Sequence, residues 1–335
     1  MIKFALIGAG RIGLVHAKAI MTAIPNAEIV AVADYYKESA SALAETYGID
    51  FHTDNHLDAI NYEGVDAVII ASSTDTHAPF IIDSAQAGKQ IFCEKPIAAD
   101  LGDIDKALAS VEQAGVQLQI GFNRRFDPSF IRIKQAIDTG EIGTPHMIHV
   151  ISRDPSPPPI EYIKVSGGMF FDMTIHDFDM ARFLFGEVDE IYATGGVLVD
   201  PAIGEAGDID TAIISLKFTN GAIGTIDNSR QAVYGYDQRV EVFGSNGSAS
   251  NANLYPDAVV ISNSERIQRA SLPHNFFLER YMASYENELQ AFVDAIVNDK
   301  PVSVTGNDGR VPVVMAMAAK RSLAENRPVK LSEIK

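Results

Sequence analysis

Residues 2–13 read IKFALIGAGRIG, and residues 27–34 read AEIVAVAD. The first stretch is a mostly apolar run, Ile2 to Ile7, that ends in Gly8-Ala9-Gly10-Arg11-Ile12-Gly13, and Ile12 to Ala23 then carries the apolar spacing of an amphipathic helix. Three glycines between a strand and a helix have a joint use. Gly8 permits the tight turn, Gly10 lets the backbone approach a pyrophosphate, and Gly13 lets helix and strand pack closely. The helix that opens at Arg11 and Ile12 presents its N–H groups and positive dipole end to the phosphates. Asp34 closes the second apolar run 21 residues beyond Gly13, where a carboxylate can accept hydrogen bonds from an adenosine ribose. Strand, turn, helix and acid together predict a dinucleotide site, against the competing reading of a glycine turn with no ligand. The Asp34 charge repels a ribose 2′-phosphate, so the predicted cofactor is NAD rather than NADP. Lys37 is read as an ordinary solvated helix residue.

Working outward, short apolar runs alternate with amphipathic segments as far as Phe122. The predicted strands are Ile2 to Ile7, Ala27 to Ala33, Ala67 to Ala71, Gln90 to Cys93 and Gln117 to Ile120. Runs this apolar need cover on both faces, which the intervening helices supply. Residues 1–122 are therefore expected to form an α/β domain with a doubly wound parallel sheet. Beyond it the texture changes: the proline run Pro155 to Pro159 breaks regular structure, and a glycine pair, Gly167-Gly168, precedes one long helix from Phe171 to Leu184 stopped by Gly186. Strand-like segments follow at Glu190 to Leu198, Thr211 to Phe218, Ala222 to Asp227, Arg239 to Phe243 and Ala258 to Ser262, with Asn220-Gly221 and Asn246-Gly247 as hairpin turns between them. Residues 123–335 are expected to be an α+β domain with a large open antiparallel sheet. Its last helices, near Leu278 to Asn298 and Gly309 to Glu325, are candidates to pack back on the first domain.

The chain has 335 residues, 47% hydrophobic, enough for two globular domains and too apolar for a disordered chain. Asp plus Glu exceed Lys plus Arg by 44 to 27, a net charge of −17. A polyanion is repelled on average, so nucleic acid is not an expected partner. The single cysteine, Cys93, forms no intrachain disulfide, and no apolar stretch approaches the ~20 residues of a bilayer span. With no signal-peptide pattern at the start, the expectation is a cytoplasmic protein that neither spans nor binds a membrane.

Two further segments follow predicted strands, at the edge where open α/β sheets bind ligands. Ser72-Ser73-Thr74-Asp75-Thr76-His77 offers hydroxyls and a helix start, so Ser73, Thr74 and His77 are candidates to line the nicotinamide half of the cofactor, with N-capping by Thr74 or Thr76 as the local alternative. Glu94-Lys95-Pro96 follows the next strand. A lysine beside the cofactor can donate a proton or clamp a substrate. In the second domain, Asp172 and His176 lie four apart on one predicted helix and share a face, which Asp179 continues. A structural hydrogen bond between a helical histidine and an acid is the commoner arrangement. A zinc site is the other reading, disfavoured because no cysteine or histidine cluster supplies further ligands, and no metal is expected.

With these residues in place, the chain resembles the glucose-fructose oxidoreductase and inositol dehydrogenase family, and within it the bacterial inositol 2-dehydrogenases. The resemblance covers essentially the whole length. It rests on GAGRIG at 8–13, Asp34, STDTH at 73–77, EKP at 94–96, GFNRRFD at 121–127, GGMFFDMTIHDFDMARF at 167–183 and YGYDQR at 234–239. EKP combined with the DxxxHD helix is specific to this family, whereas GAGRIG alone is not. The resemblance implies a Rossmann domain, then a domain whose open sheet face makes a dimer or tetramer interface. It implies that Lys95, Asp172 and His176 match a catalytic trio, that Glu94 belongs to the cofactor site, and that the Lys95-Pro96 bond is cis. By the same similarity Arg124, Tyr236 and Tyr285 match residues near a polyol, with a surface ion pair as the alternative for Arg124 and core packing for the tyrosines. Asp154 stands where some inositol dehydrogenases carry asparagine.

A secondary alcohol surrenders hydride only as its hydroxyl proton leaves. The expected roles are His176 as base, Lys95 polarising the oxygen and Asp172 orienting both. Together with Arg124, Asp154 and Asp179 these groups suit a ligand dense in hydroxyls, since each would otherwise be desolvated without a partner. The expectation is NAD-dependent oxidation of a cyclic polyol, myo-inositol to 2-keto-myo-inositol (scyllo-inosose). Scyllo- or chiro-inositol and an aldose are alternative substrates, and a non-catalytic NAD-binding sugar or redox sensor is the alternative of another class. Retention of lysine, aspartate and histidine together favours an enzyme.

Overall fold

A computed structural model describes residues 1–335. The chain divides into two compact units, Met1–Phe126 with Ala283–Val313, and Asp127–Met282 with Val314–Lys335.

The first unit alternates β1 (Ile2–Ile7), α1 (Arg11–Ala23), β2 (Ala27–Ala33), α2 (Lys37–Tyr47), β3 (Phe51–Thr53), α3 (His56–Ile60), β4 (Ala67–Ile70), α4 (Thr74–Gln86), β5 (Gln90–Cys93), α5 (Leu101–Ala114) and β6 (Leu118–Ile120). The six strands are parallel in the order β3-β2-β1-β4-β5-β6, so the winding reverses at β1 and β4. Open α/β sheets bind ligands at such a reversal. Each strand of the centre is buried on both faces; all four residues of β4 are inaccessible to solvent or nearly so. Phe4, Leu6, Ile29, Val32, Ile69 and Phe92 share one core with Leu289, Phe292 and Val293 from the late part of the chain. Burying each such side chain is worth about 1.5–3 kcal/mol. The five strands read from the sequence are all present. β3 escaped notice because three residues at a sheet edge are too short to show a period.

In the remainder, α6 (Pro128–Asp138), β7 (Pro145–Arg153), α7 (Ile160–Ile163), α8 (Met169–Asp172), α9 (Thr174–Phe185), β8 (Val188–Gly196), α10 (Pro201–Glu205), β9 (Thr211–Phe218), β10 (Ile223–Ser229), β11 (Asp237–Gly244), β12 (Gly247–Ser250), β13 (Val260–Ile261), β14 (Arg269–Ala270), α11 (Phe277–Val297), α12 (Gly306–Glu325) and β15 (Val329–Lys330) follow. Residues 283–313, which take in the greater part of α11 and the start of α12, belong to the first unit. The large sheet has seven strands in the order β12-β11-β7-β10-β9-β8-β15. Both Asn-Gly turns make the expected hairpins, β9–β10 and β11–β12.

Three expectations need correction here. The sheet is mixed rather than antiparallel, because β7 and β10 pair in parallel with Ile223 opposite Met147. Hairpin signals report only neighbours in sequence, whereas β10 reaches β7 after a long crossover. The single helix expected over 171–184 is two, α8 and α9, broken at Met173. The segment around Val260 pairs with Arg269–Ala270 in a separate two-stranded ribbon, not with the large sheet. One face of the large sheet buries Ala212, Ile214, Leu216 and Phe218, while the alternate positions leave Ile213, Ile223 and Phe243 exposed.

Candidate functional site

In the first unit the glycine turn is built as its sequence requires. Gly8 sits at φ +101°, and a Cβ there would fall 2.5 Å from the Ala71 carbonyl. A Cβ on Gly13 would fall 1.9 Å from the Gly8 oxygen, so strand end and helix start touch backbone to backbone. Gly10 is the opposite case: it is exposed and a Cβ would meet nothing within 4 Å. It also caps α1 without a side-chain hydrogen bond, so the first N–H groups of that helix have no side-chain acceptor at the cap. Arg11 is exposed and Ile12 half-buried beside it.

Asp34 stands directly after β2 and fastens the turn. Its Oδ2 accepts from the Ala9 N–H at 2.7 Å and its Oδ1 from the Tyr36 N–H at 2.8 Å. Each carboxylate oxygen has lone pairs to spare, so it can still accept from a ribose hydroxyl. The free approach at Gly10, the open helix end and the adjacent carboxylate fit a dinucleotide.

The Ser72–His77 segment follows β4, and Glu94–Lys95–Pro96 follows β5. Neither Thr74 nor Thr76 is the N-cap. Ser73 occupies that position without a side-chain cap bond, while the Thr76 hydroxyl bonds the Ser73 carbonyl at 2.7 Å and the Ser72 hydroxyl at 2.6 Å. His77 is buried, with Nδ1 2.8 Å from the Pro96 carbonyl and Nε2 3.1 Å from the Ser72 carbonyl. Burial pushes its pKa down despite those two carbonyls. The ring thus ties the two loops together. The Lys95-Pro96 bond is cis. Lys95 is half-buried, and its N–H donates to Glu94 Oε2 at 3.3 Å. The Glu94 side chain is buried and meets His16 Nε2 at 2.8 Å.

Arg124 is 5% exposed in the 3-10 turn Asn123–Phe126, too buried for a surface ion pair, and its neighbour Arg125 pairs with Asp308 at 3.1 Å. Tyr285 is buried and meets the His16 ring edge-on at 5.8 Å. His16 and Glu288, on the helix that also carries Tyr285, are buried polar residues that the motif search missed. Each left a trace. His16 lies three beyond Gly13 on the helix face that packs inward, and Glu288 interrupts the apolar stripe Tyr281, Tyr285, Leu289, Phe292.

In the second unit, Asp172 ends α8 and His176 lies in the first turn of α9, so they belong to two successive helices rather than one. Asp172 Oδ1 accepts from the Tyr162 hydroxyl at 2.8 Å, and Oδ2 from Arg230 Nη1 at 3.3 Å. Arg230 Nη2 reaches Asp208 Oδ2 at 3.3 Å, and Asp208 Oδ1 accepts from the Met169 N–H at 3.0 Å. Arg230, Asp208 and Tyr162 thus hold the turn that presents Asp172. The start of α9 is pinned by Thr174 Oγ1 to Asn228 Oδ1 at 2.6 Å and by Asn228 Nδ2 to Asp177 Oδ2 at 2.8 Å, all buried. Half-buried His176 is carried on that pinned turn, and Asp179 is buried three residues on. Asp154 is half-buried, with its N–H on the Ser229 carbonyl at 2.9 Å. Tyr236 is 8% exposed and perpendicular to Tyr281 at 6.1 Å, so it has a core contact whatever else it meets.

Residues 2–122 match an oxidoreductase family with an NAD-binding Rossmann fold, and residues 130–250 match the GFO/IDH/MocA C-terminal domain. The chain is 46% identical to a myo-inositol 2-dehydrogenase of Thermotoga maritima and 47% identical to an inositol 2-dehydrogenase of Rhizobium meliloti. Each match covers 99% of both partners. Among solved structures, a scyllo-inositol dehydrogenase of Lactobacillus casei with bound NAD(H) and scyllo-inositol superposes at a TM-score of 0.93, with 30% identity and 99% of both chains covered.

Proposed function

The chain belongs to the GFO/IDH/MocA oxidoreductase family with an NAD-binding Rossmann fold, and from that premise we propose that it oxidises a secondary hydroxyl of a cyclic polyol with NAD. The specific reaction is myo-inositol to 2-keto-myo-inositol (scyllo-inosose). The observation that carries this reading is full-length similarity to two inositol 2-dehydrogenases, joined to a glycine turn open at Gly10 and backed by Asp34. Gly8, Gly10, Arg11, Ile12, Gly13 and Asp34 hold the adenosine and pyrophosphate end of NAD, and Ser73, Thr74, His77 and Glu94 shape the part nearer the nicotinamide. Bound there, NAD supplies the hydride acceptor.

The residues of the chain handle the proton and the substrate. His176 accepts the hydroxyl proton at a ring nitrogen, a role suited to imidazole, the side chain that exchanges protons near neutrality. Lys95 stabilises the oxygen as it becomes a carbonyl. Asp172, clamped by Arg230, supplies a fixed negative charge that orients its cationic neighbours. Arg124, Asp154, Asp179, Tyr236 and Tyr285 receive the remaining hydroxyls. The exposed Ile213, Ile223 and Phe243 on the large sheet support a homodimer or homotetramer assembled through that face. No helix is long and apolar enough to cross a membrane.

The test is NADH formation across myo-, scyllo- and chiro-inositol and a set of aldoses, with NAD and NADP supplied separately. The reading expects myo-inositol with NAD to give the highest kcat/KM. A preference for scyllo-inositol would move the assignment to that isomer, for which the similarity to the L. casei enzyme speaks. A flat response throughout would favour the NAD-binding sensor.

A further inference from the structure

Joined to the Glu94–Lys95–Pro96 loop is a cluster that no step above uses. His16 from α1, Glu94 after β5 and Glu288 from α11 are all buried, and one side-chain atom of each lies within 4.8 Å of the other two. His16 Nε2 meets Glu94 Oε1 at 2.8 Å, and Glu94 Oε2 takes the Lys95 N–H at 3.3 Å. Gly121 leaves room for that carboxyl group, because a Cβ there would stand 3.2 Å from it. Glu288 differs from both partners: it is 0% exposed and neither carboxyl oxygen has a hydrogen-bond partner. Gln119 Nε2 donates to the Glu288 backbone carbonyl at 2.8 Å, not to its side chain.

An ionised carboxylate without donors in a dry interior is costly, and protonation removes the charge. The titratable groups that face it are His16 from α1 and Glu94 from the loop after β5, with Tyr285 of its own helix against the His16 ring. Burial first, and the neighbouring Glu94 second, push the Glu288 acid well up. We propose that Glu288 is a positioning residue: held as a neutral acid beside His16 and Glu94, it leaves their mutual contact intact, and that contact holds the Glu94–Lys95 peptide and so places Lys95. The proposal rests on the dehydrogenase reading, in which Lys95 acts on the substrate oxygen. Ionising Glu288 sets a second like charge against Glu94 and loosens the loop.

The experiment compares wild type with Glu288→Gln, an isostere of the neutral acid, by denaturant unfolding and by kcat and KM against pH. A folded-state pKa above the unfolded one means that stability falls as pH rises between the two. The folding equilibrium constant of Glu288→Gln relative to wild type should therefore climb about tenfold per pH unit from about pH 5 upward, until Glu288 ionises in the native state. The alkaline limb of kcat should lie at higher pH in the variant, with KM unchanged. A stability difference independent of pH, or an unmoved kcat profile, would overturn the proposal. So would a stoichiometric divalent cation in the purified protein, which would demand an ionised Glu288. If the variant does not fold, infrared spectra of the wild type decide: a protonated carboxyl band persisting at about pH 6, where exposed carboxylates are ionised, supports the neutral acid, and its absence overturns it. Loss of the pH-dependent stability difference refutes the proton on Glu288. Inactivity of both proteins toward every polyol, with that difference intact, refutes instead the dehydrogenase reading and the positioning role that depends on it.

Discussion

Arg230 Nη1 lies 3.3 Å from Asp172 Oδ2, and the arginine is 1% exposed. Its second nitrogen reaches Asp208 at 3.3 Å, so one buried cation answers two carboxylates. Removing it by Arg230→Met takes that cation from both acids; because each carboxylate keeps some access to solvent, the cost should be at most about 3 kcal/mol, the lower end of the range for breaking a buried pair. Urea unfolding should show a loss of that size, and kcat should fall with it because the Asp172 turn is no longer held.

Gly10 and Gly13 should separate binding from folding. Gly10→Ala adds a methyl group to open space, so stability should stay within about 0.5 kcal/mol of wild type. NAD affinity should drop at least about tenfold, near 1.4 kcal/mol, as titration calorimetry would show. Gly13→Ala puts its Cβ 1.9 Å from the Gly8 oxygen. It should destabilise the fold by about 1–3 kcal/mol or more.

His176→Ala tests the proposed base. Positioned general bases contribute about 10²–10⁴ in rate, so kcat should fall by that factor while the Kd for NAD is unchanged. Wild-type turnover in the variant, with its best substrate, would remove His176 from the proton path.

Asp34→Ala should relax cofactor choice. The carboxylate that would repel a 2′-phosphate disappears, so the ratio of kcat/KM for NAD over NADP should shrink by about tenfold or more. The Ala9 N–H also loses its acceptor, and melting should reveal a cost of about 1 kcal/mol.

Asp210 gives the acid limb a named contributor. Burial pushes its pKa up, but the N–H groups of Leu198, Val199 and Asp200 and the Thr211 hydroxyl push harder and hold it below the usual range. A depressed folded-state pKa contributes stability above the unfolded value of about 3.9 and loses it as pH falls. Asp210→Asn should cost about 1–3 kcal/mol at neutral pH, and the gap to wild type should narrow in unfolding curves as pH falls below the unfolded value of about 3.9.

What the letters alone determined was whatever lies within a few residues. The Gly8–Gly13 turn, Asp34 at the end of β2, the alternation of strands and helices, and the two Asn-Gly hairpins are local patterns, since backbone reach and side-chain period act over one or two turns of chain. The pairing of β7 with β10, the break at Met173, Arg230 between Asp172 and Asp208, and Glu288 beside Glu94 were decided by the tertiary structure. The last of these joins residues 194 positions apart. No pattern in sequence measures such a distance, because burial and charge compensation depend on which surfaces meet after the chain has folded.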